Sequence, residues 1–569
     1  MNRNSKSHFS ATDNRINIGR SRFERNSWWK GSLNTGDLVP FYVDEVLPGD
    51  TFEMDTSVLC RMSTPITPVM DNCYFDTYFF FTPSRLVWEH WKEFMGENNV
   101  NAWVSDVDYK IPQLQLSPNK MLNEFTLVDY FGLPTEFDVE LGVSDYEPEM
   151  VSQLPFRAYQ LIWNEWFRDQ NLQDPILIER GDSDLIVDEE DTANDLLKVL
   201  DLISLRKVNK FHDYFTSALP APQKGNPVLI PGFDGSVPVV TGKNRSQAAI
   251  DASIPLRIGI IGGTGDGEYR ALGSRIGAGS KYGEVSASTT VTSRNSEYVV
   301  PSNLYVGSSS GVTIDALRTA FQIQKLLWRD GNGGSRYTEI IRSHFGVVSP
   351  DARLQRPEYL GGKRIPITVN QVVQQSATDD TSPQGNVAAT SKTVDSNIGF
   401  TKSFTEHGYI IGVCCLRTDH TYQQGINRMW SRSDRYDFYF PELAHIGEQA
   451  IKNREIYPQV TLDRDYRDDV FGYQEAWAEY RMRPSFVTGA FRSSYSGGSL
   501  DIWHYADDYS TLPRLSSEWI QETNANVERT LAVQNATERH EQWLVDFYFD
   551  LKTTRPMPVY SVPGLVDHF

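Results

Sequence analysis

The chain has 569 residues, of which 40% are hydrophobic and 12% aromatic, and this composition excludes an intrinsically disordered protein. The formal net charge is −20, although residues 1–30 carry seven basic and only two acidic side chains. Four cysteines exclude a disulfide scaffold, and without an N-terminal apolar segment or a span of roughly 18 apolar residues we expect synthesis in a reducing cytoplasm.

The first predicted segment is a basic arm over residues 1–30. Its basic and aromatic side chains are Arg3, Lys6, Phe9, Arg15, Arg20, Arg22, Phe23, Arg25, Trp28, Trp29 and Lys30. Basic groups pair with phosphates and aromatic rings stack on bases, so this composition is typical of a nucleic-acid-binding tail. A solvated terminus would have the same charge pattern, and both interpretations stay open.

Four segments have the pattern of β-strands. Residues 51–62 alternate strictly, and the side chains on their apolar face are Phe52, Met54, Thr56, Val58, Cys60 and Met62. Residues 74–81 form a second apolar run, and residues 543–551 alternate again. Residues 408–416 are continuously apolar, which predicts a strand buried on both faces. The dispersed Gly and Pro residues favour irregular loops between such strands.

Three helices are predicted between the strands. The first covers residues 86–95, with Ser84 as its N-cap and Gly96 at its end. The second begins at Pro155 and continues to residue 167, and the third covers residues 313–329. All three carry aromatic stripes at helical spacing, which we expect to pack into a core.

Residues 226–312 differ from the rest because they are rich in Gly, Ser and Thr, most of all after residue 259. Closing a loop of this length costs only about 4 kcal/mol of chain entropy, so a stable host domain can tolerate it. We therefore predict a surface insertion that divides a core of residues 31–225 and 313–569. A second polar segment, residues 376–397, predicts a smaller exposed loop.

Candidate catalytic and metal motifs are weak. Ser309 lies in the sequence GSSSG, which matches a nucleophile elbow, but a Gly- and Ser-rich segment produces this pattern by composition alone. The glycine runs match no phosphate-binding motif, and the histidines have no ligand spacing. The acidic segment 182–201 lacks the spacing of a calcium loop. We predict no catalytic residue, no metal and no cofactor.

Residues 428–436, with the sequence RMWSRSDRY, interleave three arginines with aromatic side chains. This combination suits sequence-tolerant binding of single-stranded nucleic acid. From the local sequence an equal alternative is structural: Arg432 and Arg435 pair with Asp434, Asp437 or a neighbouring subunit.

Longer segments carry a family resemblance. They include LVPFYVDEVLPGD at residues 38–50, LPFRAYQLIWNEWFRDQN at 154–171, HDYFTSALPAPQKG at 212–225, LQRPEYLGG at 354–362 and RPMPVYSVPGLVDHF at 555–569. In these segments, which extend over most of its length, the chain resembles the major capsid proteins of gokushoviruses, small single-stranded DNA bacteriophages of the Microviridae.

The resemblance implies a mainly β fold, an eight-stranded antiparallel jelly roll with long loop insertions and a few helices. It implies a T=1 icosahedral virion shell around circular single-stranded DNA, assembled in the host cytoplasm, with a small basic DNA-packaging protein and a DNA pilot protein as partners. We predict that the residues facing DNA are Arg3, Lys6, Arg15, Arg20, Arg22, Arg25, Arg428, Trp430, Arg432 and Arg435.

The resemblance also places the insertion 226–312 at the three-fold axes, where it would contact a receptor on the bacterial surface. The candidate contact residues are Gly262, Gly265, Tyr269, Tyr282, Ser288 and Thr290. Two other classes remain as alternatives, a non-viral carbohydrate-binding β-sandwich and a serine hydrolase that uses Ser309.

Overall fold

The computed structural model describes residues 19–97, 109–116, 124–135, 149–186, 193–226, 314–334, 336–347, 355–375, 384–462, 464–532 and 541–560, together with short strands between residues 239 and 306. The chain divides into two compact units. The first comprises Met1–Pro222 and Val348–Phe569, and the second comprises Gln223–Val347.

Ten strands of the first unit build its two main sheets. They are β1 (Ser21–Glu24), β2 (Ser27–Leu33), β3 (Asp37–Val46), β4 (Thr51–Met62), β5 (Cys73–Pro83), β6 (Arg206–Lys207), β7 (Glu358–Pro366), β8 (Thr393–Ser403), β9 (Gly408–Thr418) and β10 (Trp543–Arg555). In one sheet β1 and β2 both pair with β10, which is followed by β4 and β8. The order in the other sheet is β7-β5-β9-β3-β6.

The connectivity of these sheets is that of a jelly roll. The strand orders β2-β10-β4-β8 and β3-β9-β5-β7 place most successive long strands in opposite sheets, and all of their pairings are antiparallel. The prediction of a mainly β fold with antiparallel sheets is confirmed. Each sheet has a fifth, short strand beyond the predicted eight, because β1 and β6 add to β10 and β3.

The predicted strand patterns explain the core between the sheets. All six residues of the predicted apolar face of β4 are buried, as are the inward residues of β10 from Trp543 to Leu551. Aromatic rings of the two sheets meet there, with the Phe41 ring stacked on the Phe547 ring at a centroid distance of 4.1 Å. Alternation works here because one face of each strand meets the opposite sheet.

β9 is buried on both faces, as its continuous apolar sequence predicts. Ile410, Cys414 and Leu416 belong to the core between the sheets, whereas Ile411 and Val413 face a second core on the other side. Helices cover this outer face, so no residue of β9 between Ile410 and Leu416 is left to solvent.

Eight α-helices lie in the described residues, and most of them are short. They are α1 (Trp91–Phe94), α2 (Leu127–Tyr130), α3 (Leu154–Ile162), α4 (Ala193–Ile203), α5 (Ile314–Gly333), α6 (Tyr337–Phe345), α7 (Asn453–Ile456) and α8 (Ala525–Glu528). The helix predicted from Pro155 is confirmed as α3, which continues as a π-helix over Trp163–Phe167. Its side chains Phe156, Tyr159 and Trp163 are buried in the second core.

The helix predicted over residues 86–95 is wrong in its first half. A 3₁₀ turn covers Ser84–Leu86, Ser84 does not cap a helix, and α1 begins only at Trp91. The reason is tertiary: Trp88 is fully buried and its indole Nε1 donates a hydrogen bond of 2.6 Å to Asp182. The predicted end is confirmed, since Gly96 has a φ of 98° that favours glycine.

The second unit contains α5, α6 and short strands. The strands are Val239–Thr241, Arg257–Ile260, Arg270–Ala271, Ser274–Arg275, Glu284–Val285, Val299–Pro301 and Leu304–Val306. The prediction that the stripe of the third helix packs into a core is wrong for Phe321, because its side chain is 60% exposed. Residues Leu327 and Trp328 are half-buried.

Smaller elements complete the first unit. Four strand pairs are Gln113–Leu116 with Glu149–Ser152, Val369–Val373 with Val387–Ser391, Glu448–Lys452 with Val470–Glu475, and the parallel pair Thr421–Tyr422 with Ser485–Phe486. Further 3₁₀ turns cover Arg428–Ser431, Arg435–Asp437, Pro441–Leu443, Ala478–Tyr480, Gly489–Phe491 and Asp501–Trp503.

Candidate interface for DNA and neighbouring subunits

The connection between β9 and β10, residues 419–542, carries the arginine- and aromatic-rich segment. A third hydrophobic core holds this connection, in which its residues Tyr422, Ile451 and Phe471 pack together with Phe215 from an earlier part of the chain. The antiparallel pair Glu448–Lys452 and Val470–Glu475 gives this connection a fixed frame. Residues 428–437 lie beside that frame in two 3₁₀ turns.

Two of the predicted DNA-facing arginines are paired with carboxylates inside the chain. The Arg432 guanidinium lies 3.0 Å from Glu479, and both side chains are about nine-tenths buried, at 10% and 8% exposure. Arg428 lies 3.6 Å from Glu455 and 3.9 Å from Glu479, and it donates a hydrogen bond to the Ala450 carbonyl. The alternative of internal pairing therefore describes these two side chains, although the partners are not the predicted nearby aspartates.

Burial affects the charges of this cluster. It raises the pKa of Glu455 above its ordinary value, against the opposing effects of the Lys452 backbone amide and Arg428. The Tyr214 hydroxyl donates a further hydrogen bond of 2.9 Å to Glu455. These carboxylates and arginines therefore compensate one another in a partly water-excluded site.

The other members of the segment are exposed. Trp430 is 75% exposed and Tyr436 is 77% exposed, and neither belongs to a core cluster. The guanidinium of Arg435 lies 5.3 Å from the centroid of the Phe440 ring and has no carboxylate partner among the described residues. The segment therefore has two sets of side chains. Arg428 and Arg432 form an anchoring row, and the exposed Trp430, Arg435 and Tyr436 form a displayed row.

A cleft of about 950 Å³ opens next to this displayed row. Its rim includes Met429, Trp430, Met482 and Phe486, all of which are exposed. Five arginines and two glutamates contribute to its lining, so its net charge is positive in a chain whose net charge is −20. Exposed apolar patches of this kind mark contact sites with other molecules.

The N-terminal residues predicted to face DNA fall into two groups, those outside the described residues and those that are paired with carboxylates. Arg3, Lys6 and Arg15 lie outside the described residues. Arg22 pairs with Glu53 at 2.6 Å, and Arg25 forms two hydrogen bonds to Asp44 of 2.6 and 3.1 Å. Residues 21–30, predicted as part of a basic arm, lie largely in β1 and β2 and pair with β10.

Arg20 is exposed at the start of the described chain. The predicted host-contact residues are outside the described residues, and so is Ser309. These host-contact residues, which stay predictions, are Gly262, Gly265, Tyr269, Tyr282, Ser288 and Thr290.

Sequence reasoning missed a buried charge network, most of whose members belong to the same connection. The His420 imidazole bridges two carboxylates, with Nδ1 3.1 Å from Asp507 and Nε2 3.1 Å from Glu522. Lys210 lies 3.9 Å from Asp507, and Asn526 donates to the same carboxylate. No local motif could reveal this network, because its members are far apart in sequence.

The network is charged at neutral pH. Burial alone would lower the pKa of His420, but Glu522 and Asp507 raise it to about 10. Burial would likewise raise the pKa of Asp507, yet His420 and Lys210 hold it well below its ordinary value. All of these side chains are buried, so the arrangement stabilises the connection and offers no accessible catalytic group.

Cysteines and metal ligands give no indication of a reactive centre in the part of the chain described. The thiols of Cys60, Cys73, Cys414 and Cys415 are free and buried, and burial raises the pKa of each. Among the described residues no group of three or more His, Cys, Asp or Glu side chains could hold a metal ion. No helix within the described ranges is long and apolar enough to cross a membrane.

Jelly-roll bodies occur in viral shell subunits as well as in lectins and cupins, and the comparison with known proteins decides between these classes. The chain belongs to the capsid protein (F protein) family, whose family model matches residues 13–565. It is 41% identical over 594 residues to capsid protein VP1 of Chlamydia phage 1, with 96% of each chain covered.

Two further relatives agree. Capsid protein VP1 of Bdellovibrio phage phiMH2K is 39% identical over 556 residues, with 97% of each chain covered. Capsid protein VP1 of Spiroplasma virus 4 is 40% identical over 544 residues, covering 94% of this chain and 93% of the relative. The resemblance to gokushoviruses is confirmed: the chain is a major capsid protein of a virion, forms a homo-oligomeric shell and is not an enzyme.

Proposed function

We propose that the chain builds a T=1 icosahedral shell around circular single-stranded DNA in the cytoplasm of a host bacterium. The observation that carries this proposal is the pairing of a closed jelly-roll core with the displayed aromatic surface of residues 426–439 and 480–486. The core makes each subunit a rigid tile, and the displayed surface supplies apolar area that only contact with another molecule can remove from water.

Expression of the chain alone tests the shell. Closed particles of one uniform diameter in negative-stain microscopy, with the mass of sixty copies by analytical ultracentrifugation, are expected for T=1 symmetry (~60 subunits by closed point-group geometry). A monodisperse monomer or small oligomer under all assembly conditions would contradict the proposal. Particles of several diameters would contradict the T=1 part alone.

The strongly acidic chain requires positive charge next to packaged DNA, because phosphates and carboxylates repel each other. Arg22 and Arg25 are already paired with carboxylates, which leaves Arg20 and the more N-terminal Arg3, Lys6 and Arg15 as the better candidates for DNA contact. In this proposal a small basic packaging protein supplies further neutralisation, and a pilot protein accompanies the DNA.

A charge-reversal variant tests this DNA contact. With Arg3, Lys6, Arg15 and Arg20 changed to Glu, particles are expected to form at unchanged yield but to contain several-fold less DNA by absorbance at 260 nm. The matched variant with Gln at the same positions separates loss of attraction from added repulsion and should give an intermediate DNA content. Unchanged DNA content in the Glu variant would show that these side chains do not face the cargo.

We also propose that residues 226–312 contact the host receptor. This segment falls within the second compact unit, Gln223–Val347. Replacing residues 226–312 by a short Gly-Ser linker should leave particle formation intact and reduce adsorption to host cells to background. Normal adsorption of such particles would rule out this role.

A further inference from the structure

The cleft beside Trp430 has the composition of a protein interface more than that of a track for nucleic acid. Residues 426–500 contain nine arginines and a single lysine, and the exposed apolar side chains that line the cleft are mostly aromatic or methionine. Protein interfaces are enriched in Arg, Tyr, Trp, Phe and Met and depleted of Lys. Surfaces that follow a phosphate backbone use lysine as well as arginine, so the near-absence of lysine here favours a protein partner.

The pairing of the arginines with carboxylates also favours a protein partner for the cleft. Arg428 and Arg432, two of the three arginines of this segment that the sequence assigned to DNA, are paired with Glu455 and Glu479 and are mostly buried. Their role is to position the displayed row, because the Arg432 guanidinium also lies 4.5 Å from the centroid of the Tyr480 ring. A phosphate would have to displace a buried carboxylate to reach either group.

The same chain carries a complementary surface. Residues 174–184 contain four carboxylates and one arginine, and Leu177 in this segment is 93% exposed. Asp182 and Asp184 already accept hydrogen bonds within the chain, so the exposed Asp174 and Glu179 are the carboxylates that this segment offers to a partner. The cleft lining has five arginines against two glutamates, so the two surfaces have opposite net charge and each has an apolar centre. Two different patches that fit each other form a head-to-tail contact, which closes into rings when the rotation allows it.

We propose that this cleft binds a second copy of the chain, which inserts its acidic 174–184 segment with Leu177 at the centre. The inference rests on the proposed shell and identifies one contact within it. Trp430 and Phe486 then cover Leu177 of the neighbour, and arginines at the rim, such as Arg483, face its carboxylates.

Substitution of two aromatic residues at the rim of the cleft tests the proposal through the yield of assembled shells. The Trp430→Ala/Phe486→Ala variant should keep the urea unfolding midpoint of the wild type, because both rings are exposed, but yield at least tenfold fewer shells. The Trp430→Phe variant keeps an aromatic ring and should assemble normally. Wild-type shell yield from the double alanine variant overturns the inference, and the same yield with a reduced DNA content would assign the surface to DNA instead.

Cross-linking tests which surface the cleft receives. The four native cysteines are buried with raised pKa values and provide a silent background. After assembly, the Leu177→Cys/Phe486→Cys variant treated with a short bismaleimide should give covalent ladders on a denaturing gel, whereas either single variant should not. Assembled particles that yield no ladder would overturn the proposed pairing. Failure of the wild type itself to form shells would instead refute the proposed function.

Discussion

The buried His420 should make the free energy of unfolding depend on pH over a defined range. Its pKa is about 10 in the fold and 6.5 in an unperturbed histidine. Because the folded value is higher, the stabilisation is fully present below pH 6.5 and is lost as the pH rises to about 10. Within this window the unfolded chain has released the proton that the folded chain retains.

The expected size follows from proton linkage. Each pH unit inside the window lowers the free energy of unfolding by about 1.4 kcal/mol, so a rise from pH 7 to pH 9 costs about 3 kcal/mol. The imidazole contacts Asp507 and Glu522. The groups that contact these two carboxylates are Lys210, Asn526 and Tyr509 at Asp507 and Thr418 at Glu522. Burial raises the pKa of Tyr509 well above its ordinary value, so that hydroxyl does not titrate in the same window.

The assay is urea unfolding of the unassembled chain, followed by tryptophan fluorescence at pH 7, 8 and 9. His420→Gln removes the titrating group, and we expect this variant to be less stable at pH 7 and to lose the extra slope. His445→Gln, a change at an exposed histidine, is the matched control and should retain the wild-type slope. Parallel pH profiles for the wild type and His420→Gln would refute the reasoning.

Two further predictions concern packing and pairing. Phe547→Ala removes the ring that stacks on Phe41 in the centre of the core, so the free energy of unfolding should fall by about 3–5 kcal/mol, measured by urea unfolding; a change below 1 kcal/mol would contradict a tightly packed core. Glu479→Gln leaves the Arg432 charge uncompensated in a mostly buried site and should cost about 3 kcal/mol, whereas Glu475→Gln, at an exposed ion pair, should cost less than about 1 kcal/mol. Equal effects of the two glutamate changes would show that the pairing does not anchor the segment.

The sequence predicts the strands well where one physical cause dominates. β4 alternates because one of its faces packs against the opposite sheet, and β9 is continuously apolar because helices cover its outer face. The segment 86–95 has a helical pattern as well, but the burial of Trp88 and its bond to Asp182 override it. Local periodicity cannot reveal a partner that lies almost a hundred residues away.

The candidate site was less predictable for a related reason. The interleaved arginines and aromatic rings of residues 428–436 are visible in the sequence, but their division into an anchoring and a displayed row depends on Glu455 and Glu479. Those partners come from other parts of the connection. The sequence therefore locates the functional segment without deciding between nucleic acid and protein as its partner.

The connection of residues 419–542 is stabilised by buried polar contacts that do not depend on burial of its exposed aromatic rings. A segment that displays Trp430 and Tyr436 before assembly cannot gain stability by burying those rings in its own core. Buried ion pairs and hydrogen bonds stabilise the connection instead. They include the pair of Arg432 with Glu479, which lines the cleft, and the pair of His420 with Glu522. Because buried pairs are favourable only when their geometry is satisfied, they resist rearrangement of the displayed row and keep its apolar area available for the neighbouring subunit that we propose.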